Sequence, residues 1–232
     1  MPSNSRLVNP LLHPLIFLFQ IFQWLTDKLL SPKPPSENAR LGHNRPKIAV
    51  IGAGITGVTS AAHCIGHGFD VVIFEAGSKD NVGGIWSVSI SPHFPQSTNT
   101  KVLQRVNETS GLQIHSLMYR FHPSVQWDRG YPDRQQIVSQ VRQLWERYGL
   151  KERTRFNTKI EKVYQDEQGR WIVNNPAMGR FGGVIAAVGT CGAPKMPKIP
   201  GMDNFKGPIY HSSDLTGYVF SSLNRKLGTN IL

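Results

Sequence analysis

The period of apolar positions changes several times along the chain, and each change marks a predicted element. From Leu11 to Leu30 the residues are mostly Leu, Ile, Phe and Trp. Within that run Gln20, Gln23 and Asp27 recur at helical spacing, drawing a thin polar stripe beside an apolar face of Leu15, Leu18, Phe19, Phe22 and Leu25. Pro14 suits the first turn of this helix. Periodicity then disappears between Ser31 and Pro46, where proline, polar and charged residues predict an extended linker. An apolar run, Ile48 to Ile51, leads through small and apolar residues at helical spacing, as far as Cys64 and Ile65, to a second run from Val71 to Phe74. That order predicts strand, helix, strand. Pro92, Pro95 and Pro123 exclude long helices from the irregular stretch between Ser87 and Asp128. The clearest helix follows Tyr131-Pro132-Asp133: Asp133 is a good N-cap with Gln136 three residues on. Ile137, Val141, Leu144 and Tyr148 share a face, and Gly149 can end the helix. Its Arg and Glu residues are expected to face water. Lys159–Gln165 and Arg170–Asn174 alternate as strands around Asp166-Glu167-Gln168-Gly169, predicting a hairpin. Phe181 to Val188 is apolar enough for one buried strand, and Pro194, Pro197, Pro200 and Gly201 make a rigid connection after it. The fold class is therefore α/β.

The first strand runs directly into Gly52-Ala53-Gly54-Ile55-Thr56-Gly57, and the second ends on the acid Glu75. This G-x-G-x-x-G between strand and helix, with an acid about 20 residues on, is the arrangement that binds dinucleotides. Gly52 allows the tight turn, Gly54 lets the backbone approach a pyrophosphate, and Gly57 lets helix and strand pack closely. The phosphates would sit on the helix N-terminus, where unpaired N–H groups and the dipole favour anions. Glu75 can accept hydrogen bonds from a ribose diol and would repel a 2′-phosphate, so FAD or NAD is expected here ahead of NADP.

With 232 residues, 39% of them hydrophobic, the chain can bury a real core. The net charge of +11 does not indicate nucleic acid, because Lys and Arg are scattered and nowhere interleave with aromatics. It fits a basic soluble surface, for which anionic lipid is one available neighbour. Cys64 and Cys191 are the only cysteines, so there is neither a disulfide framework nor a C-x-x-C site, and a reducing compartment fits. A dithiol reductase is excluded for want of paired cysteines. The Leu11–Leu30 helix leaves three readings: an interfacial anchor with Trp24 at headgroup level, a short spanning helix, or a cover for the protein's own surface. The first two place the protein on the cytoplasmic face of a membrane, the endoplasmic reticulum being a candidate.

After Glu75 comes Gly83-Gly84-Ile85-Trp86. A dinucleotide βαβ unit followed by Gly-Gly-x-Trp resembles the flavin-containing monooxygenases and their Baeyer-Villiger relatives. The resemblance implies that Gly83 and Gly84 bring backbone N–H groups to FAD and that Trp86 packs nearby. It further implies an active-site asparagine, at Asn107 or alternatively Asn99, that helps hold the oxygen adduct. Ala187-Val188-Gly189 resembles the family's Ala-Thr-Gly, a second backbone approach to FAD at Gly189, with Val in place of Thr. Phe205 to Asp214 resembles the fingerprint F-x-G-x-x-x-H-x-x-x-(W/Y) through Gly207 and His211, but Leu215 occupies the aromatic slot.

The resemblance covers Lys47 to about Asp214. A second G-x-G-x-x-(G/A) unit, which binds NADPH in the family, is not found after Gly207. The expected organisation is a hydrophobic segment (1–30), a linker (31–46), a partial FAD-binding domain (47–214) and a divergent tail (215–232). The expected fold is a Rossmann-like βαβ domain with a hairpin insertion, an incomplete two-dinucleotide-binding-domain flavoprotein. The implied chemistry is that of an FAD-dependent, NADPH-using monooxygenase: a flavin C4a-peroxide passes one oxygen from O2 to a small molecule bearing a soft nucleophile or carbonyl. In this chain a truncated form without the NADPH domain is expected. The alternative is a non-catalytic, membrane-associated FAD-binding fragment.

Overall fold

A computed structural model describes residues 9–35, 46–87, 106, 110–189, 195–207 and 209. In chain order its helices and strands are α1 (Pro14–Leu30), β1 (Lys47–Ile51), α2 (Ile55–Gly66), β2 (Asp70–Phe74), α3 (Arg134–Arg147), β3 (Thr154–Arg155), β4 (Val163–Gln165), β5 (Trp171–Val173), β6 (Arg180–Phe181) and β7 (Gly183–Ala186). A parallel sheet runs β3-β2-β1-β7, and a smaller antiparallel sheet runs β4-β5-β6.

Strand alternation divides the core into two layers. Ile48, Val50, Val71 and Ile73 point to one face, where Val58, Ala61, Ala62 and Ile65 of α2 meet Val141, Leu144 and Trp145 of α3. Ala49, Val72 and Phe74 point to the other, against Val173 and Phe181 of the antiparallel sheet. The small sheet is thus a lid on the far side of the parallel one. A third cluster, Val125, Trp127 and Ile137, gathers Phe19, Ile55 and Trp86 around it.

The α3 signals act as expected. The Asp133 carboxylate accepts from the Gln136 N–H at 2.9 Å, and Gly149 takes a φ of 60° just past the end.

Two expectations are corrected. Phe181–Val188 is not one strand: the chain leaves the antiparallel sheet at Phe181 and enters the parallel one at Gly183, turning at Gly182 against Pro46. Apolar content alone cannot locate such a change of sheet. The Arg residues of α3 do not all face water, since Arg134 is buried and Arg147 pairs with Asp27. The side on which α1 meets the domain, left open by its pattern, is that of its polar stripe. Gln23, 2% exposed, donates from Nε2 to the Trp127 carbonyl at 3.0 Å, and its Oε1 accepts from the Trp127 N–H at 2.6 Å. Of the apolar face, Phe19 alone enters a core cluster, while Leu15, Leu18, Phe22 and Leu25 are exposed. The buried backbone N–H and carbonyl of Trp127 need hydrogen-bond partners, and Gln23 supplies both.

Below α1, buried His122 lies against His63, with ring centroids 4.7 Å apart. Burial, His63 and Arg147 push its pKa down to about 4, against a smaller opposing pull from Asp27. Its Nδ1 accepts from the Ser124 N–H, which fits a neutral ring. The unfolded chain therefore takes up a proton near pH 6.5 that the folded chain refuses until about 4. Stability should fall as pH drops through that window, by roughly 3 kcal/mol in total, and His122→Phe should flatten this part of a denaturation-versus-pH curve.

Candidate functional site

The loops after β1, β2 and β7 converge at the carboxyl ends of the parallel strands, where the sheet order reverses at β1. Open α/β sheets bind ligands at such crevices. Gly52 donates to the Phe74 carbonyl at 2.8 Å, Gly83 to the Ala53 carbonyl at 2.9 Å and Ala187 to the Ile51 carbonyl at 2.9 Å, so the loops are locked together through backbone. Gly54 and Gly83 form a parallel bridge.

The glycines divide into two kinds. Gly52 has a φ of 101°, and a Cβ there would lie 2.5 Å from the Ala187 oxygen. A Cβ on Gly57 would lie 1.9 Å from the Gly52 oxygen. Both are glycine because the fold leaves no room. Gly54 differs: its φ is −74°, and a Cβ would meet only the Gly84 Cα, at 3.7 Å, an ordinary contact. Gly54 is also the N-cap of α2, with no side chain closing the helix end, so the first-turn N–H groups point into the crevice uncapped by any side chain.

Glu75 ends β2 as expected. Its Oε2 accepts from the Ala53 N–H at 2.7 Å and its Oε1 from the Gly77 N–H at 2.9 Å. The carboxylate therefore ties the glycine loop to the end of β2, and each oxygen keeps a lone pair for a diol. Gly83 and Gly84 both have positive φ and lead into a 3₁₀ turn over Gly84–Trp86, closed by the Ser87 hydroxyl donating to the Gly84 carbonyl at 2.7 Å. Trp86 packs half-buried near Trp127 and Ile137. Gly189 has a φ of 82°, and a Cβ there would meet nothing within 4 Å, so it faces open space beyond β7.

Sequence reasoning missed Arg134. This buried residue donates from Nε to the Trp86 carbonyl at 2.7 Å and from a terminal nitrogen to the Ser87 carbonyl at 3.1 Å, fixing the loop to α3. A signal existed: a cation in a helix's first turn opposes the helix dipole and needs a local reason. Asn107, Asn99, His211 and Cys191 lie outside the described residues. Among the described residues no His, Cys, Asp and Glu group is placed to hold a metal. Burial pushes the Cys64 thiol up, away from the reactive thiolate.

A family model described as flavin-binding monooxygenase-like matches residues 45–221. Over 171 residues the chain is 29% identical to a Baeyer-Villiger monooxygenase of Pseudomonas aeruginosa, the match covering 72% of this chain and 29% of that protein. It is 25% identical over 184 residues to the flavin-containing monooxygenase FMO GS-OX3 of Arabidopsis thaliana, covering 71% of this chain and 39% of the other. The chain thus spans about a third of the length of these relatives. The S-allyl-L-cysteine S-oxygenase of Allium sativum shares the fold, with a TM-score of 0.58 at 22% identity, over 73% of this chain and 42% of that one.

Proposed function

The chain belongs to the flavin-binding monooxygenase-like family, and from that premise we propose that residues 47–189 hold FAD as the flavin half of an NADPH-using monooxygenase acting with O2 on a small organic molecule. The observation that carries this is Gly54. Nothing in the fold calls for glycine there, whereas a phosphate passing close to the uncapped start of α2 does.

The surrounding residues fit such an occupant. First-turn N–H groups of α2 would hold the pyrophosphate, and Glu75 would accept from the ribose diol. Gly84 and Gly189 keep side chains away from the crevice, and Trp86 walls it. Bound FAD would supply the redox chemistry, taking reducing equivalents from NADPH and passing them to O2. This chain's residues bind, orient and exclude water. Because it covers about a third of the length of these relatives, we assign NADPH binding and the substrate pocket to the parts of such proteins that lie beyond the matched stretch.

Gly54→Ala tests the site. The wild-type chain is expected to carry flavin absorbance through gel filtration. The variant should lose affinity by roughly tenfold or more while its stability changes by no more than about 0.5 kcal/mol. A stable variant that keeps its flavin would refute this placement. Flavin binding without NADPH-dependent oxygen uptake would mark the chain as a binding module.

A further inference from the structure

We propose that the outward face of α1 docks on an anionic lipid bilayer, while the inward polar stripe of the same helix stays latched to the folded domain. A helix that merely covers its own protein turns its apolar stripe down. Here the reverse holds: Gln23 is bonded to Trp127, and Asp27 pairs with Arg147 at 3.1 Å. Leu15 is 79% exposed, Leu18 61%, Trp24 53% and Leu29 76%. Ile114, Leu117 and Met118 are exposed as well, on the loop leading into Arg120, whose guanidinium lies over the Phe22 ring and donates to Gln23. An apolar surface of this extent marks an interaction site.

Charge selects the occupant. Residues 1–46 carry Arg6, Lys28, Lys33, Arg40 and Arg45 against Asp27 and Glu37, and Asp27 is already neutralised by Arg147. A second copy would bring the same positive excess, whereas anionic headgroups complement it. No described helix is long and apolar enough to cross a membrane, and the latch holds α1 against the domain, so the helix lies along the bilayer with Trp24 available to the headgroup layer. α1 also precedes the residues that match the family, 45–221. The proposal is independent of the flavin reading.

The test is flotation of the full chain with vesicles of phosphatidylcholine containing about 30% phosphatidylserine, beside pure phosphatidylcholine vesicles. The expected result is recovery with the anionic vesicles, reduced roughly tenfold by Leu18→Glu with Leu25→Glu and more modestly by Lys28→Glu. Circular dichroism would establish that these exposed-site variants remain folded. Equal binding by the folded double variant would overturn the proposal. So would a concentration-dependent dimer, abolished by the same variant, in a chain that ignores both kinds of vesicle. A monomer that binds neither vesicle would overturn it too.

Discussion

Gly57→Ala is expected to destabilise the domain by about 5 kcal/mol, the upper end of what one substitution does, and to leave little soluble folded chain. The added methyl would lie 1.9 Å from the Gly52 oxygen and 2.9 Å from its carbonyl carbon. Neither atom can retreat. The Gly52 N–H is bonded to Phe74 across the sheet, and the space on its other side is filled by the Ala187 oxygen. Relief would require α2 to lift from the sheet, separating Val58, Ala61 and Ala62 from Val50 and Ile73. Urea denaturation followed by circular dichroism measures the effect. A midpoint close to that of the wild type would mean that the close contact between α2 and the β1 loop is misplaced. The comparison with Gly54→Ala is informative because both changes add one methyl to the same turn: one should unfold the chain, the other should only empty it.

Gln23→Leu should cost about 4 kcal/mol, although it places an apolar residue in a buried position. Leu has nearly the right volume, but it leaves the N–H and the carbonyl of Trp127 without the partners they now have at 2.6 and 3.0 Å. Two unpaired buried backbone groups cost more than one side chain's worth of apolar burial returns. Arg120 also loses an acceptor. Gln23→Glu, which keeps the acceptor and loses the donor, should fall between the two. If Leu proves neutral in a thermal melt, α1 is not latched through this residue.

These two positions show what the sequence makes legible and what it does not. Gly57 belongs to a motif whose roles are local: a turn, an uncapped helix and a close packing contact lie within six residues of each other. The alternation of Val71, Val72, Ile73 and Phe74 between two core layers is equally local, as is the capping of α3 by Asp133. Gln23 is different. Its period shows that Gln20, Gln23 and Asp27 share a face, but which face meets the protein depends on Trp127, 104 residues away. Gly182 was opaque for the same reason, and Arg134 signalled that it had a partner without showing which, since the carbonyls of Trp86 and Ser87 and the ring of Pro46 belong to distant segments. At the candidate site, the glycine loops and Glu75 were readable as a pattern. The two bonds that already occupy the carboxylate were not.

Helix α3 connects the crevice to the apolar helix. At its first residue Arg134 grips the carbonyls behind Gly83-Gly84-Ile85-Trp86; at its last, Arg147 holds Asp27 of α1, and the next residue, Tyr148, donates its hydroxyl to Pro32. Fourteen helical residues make a stiff rod of about 20 Å. One rigid element therefore sets the positions of both α1 and the loop that walls the crevice.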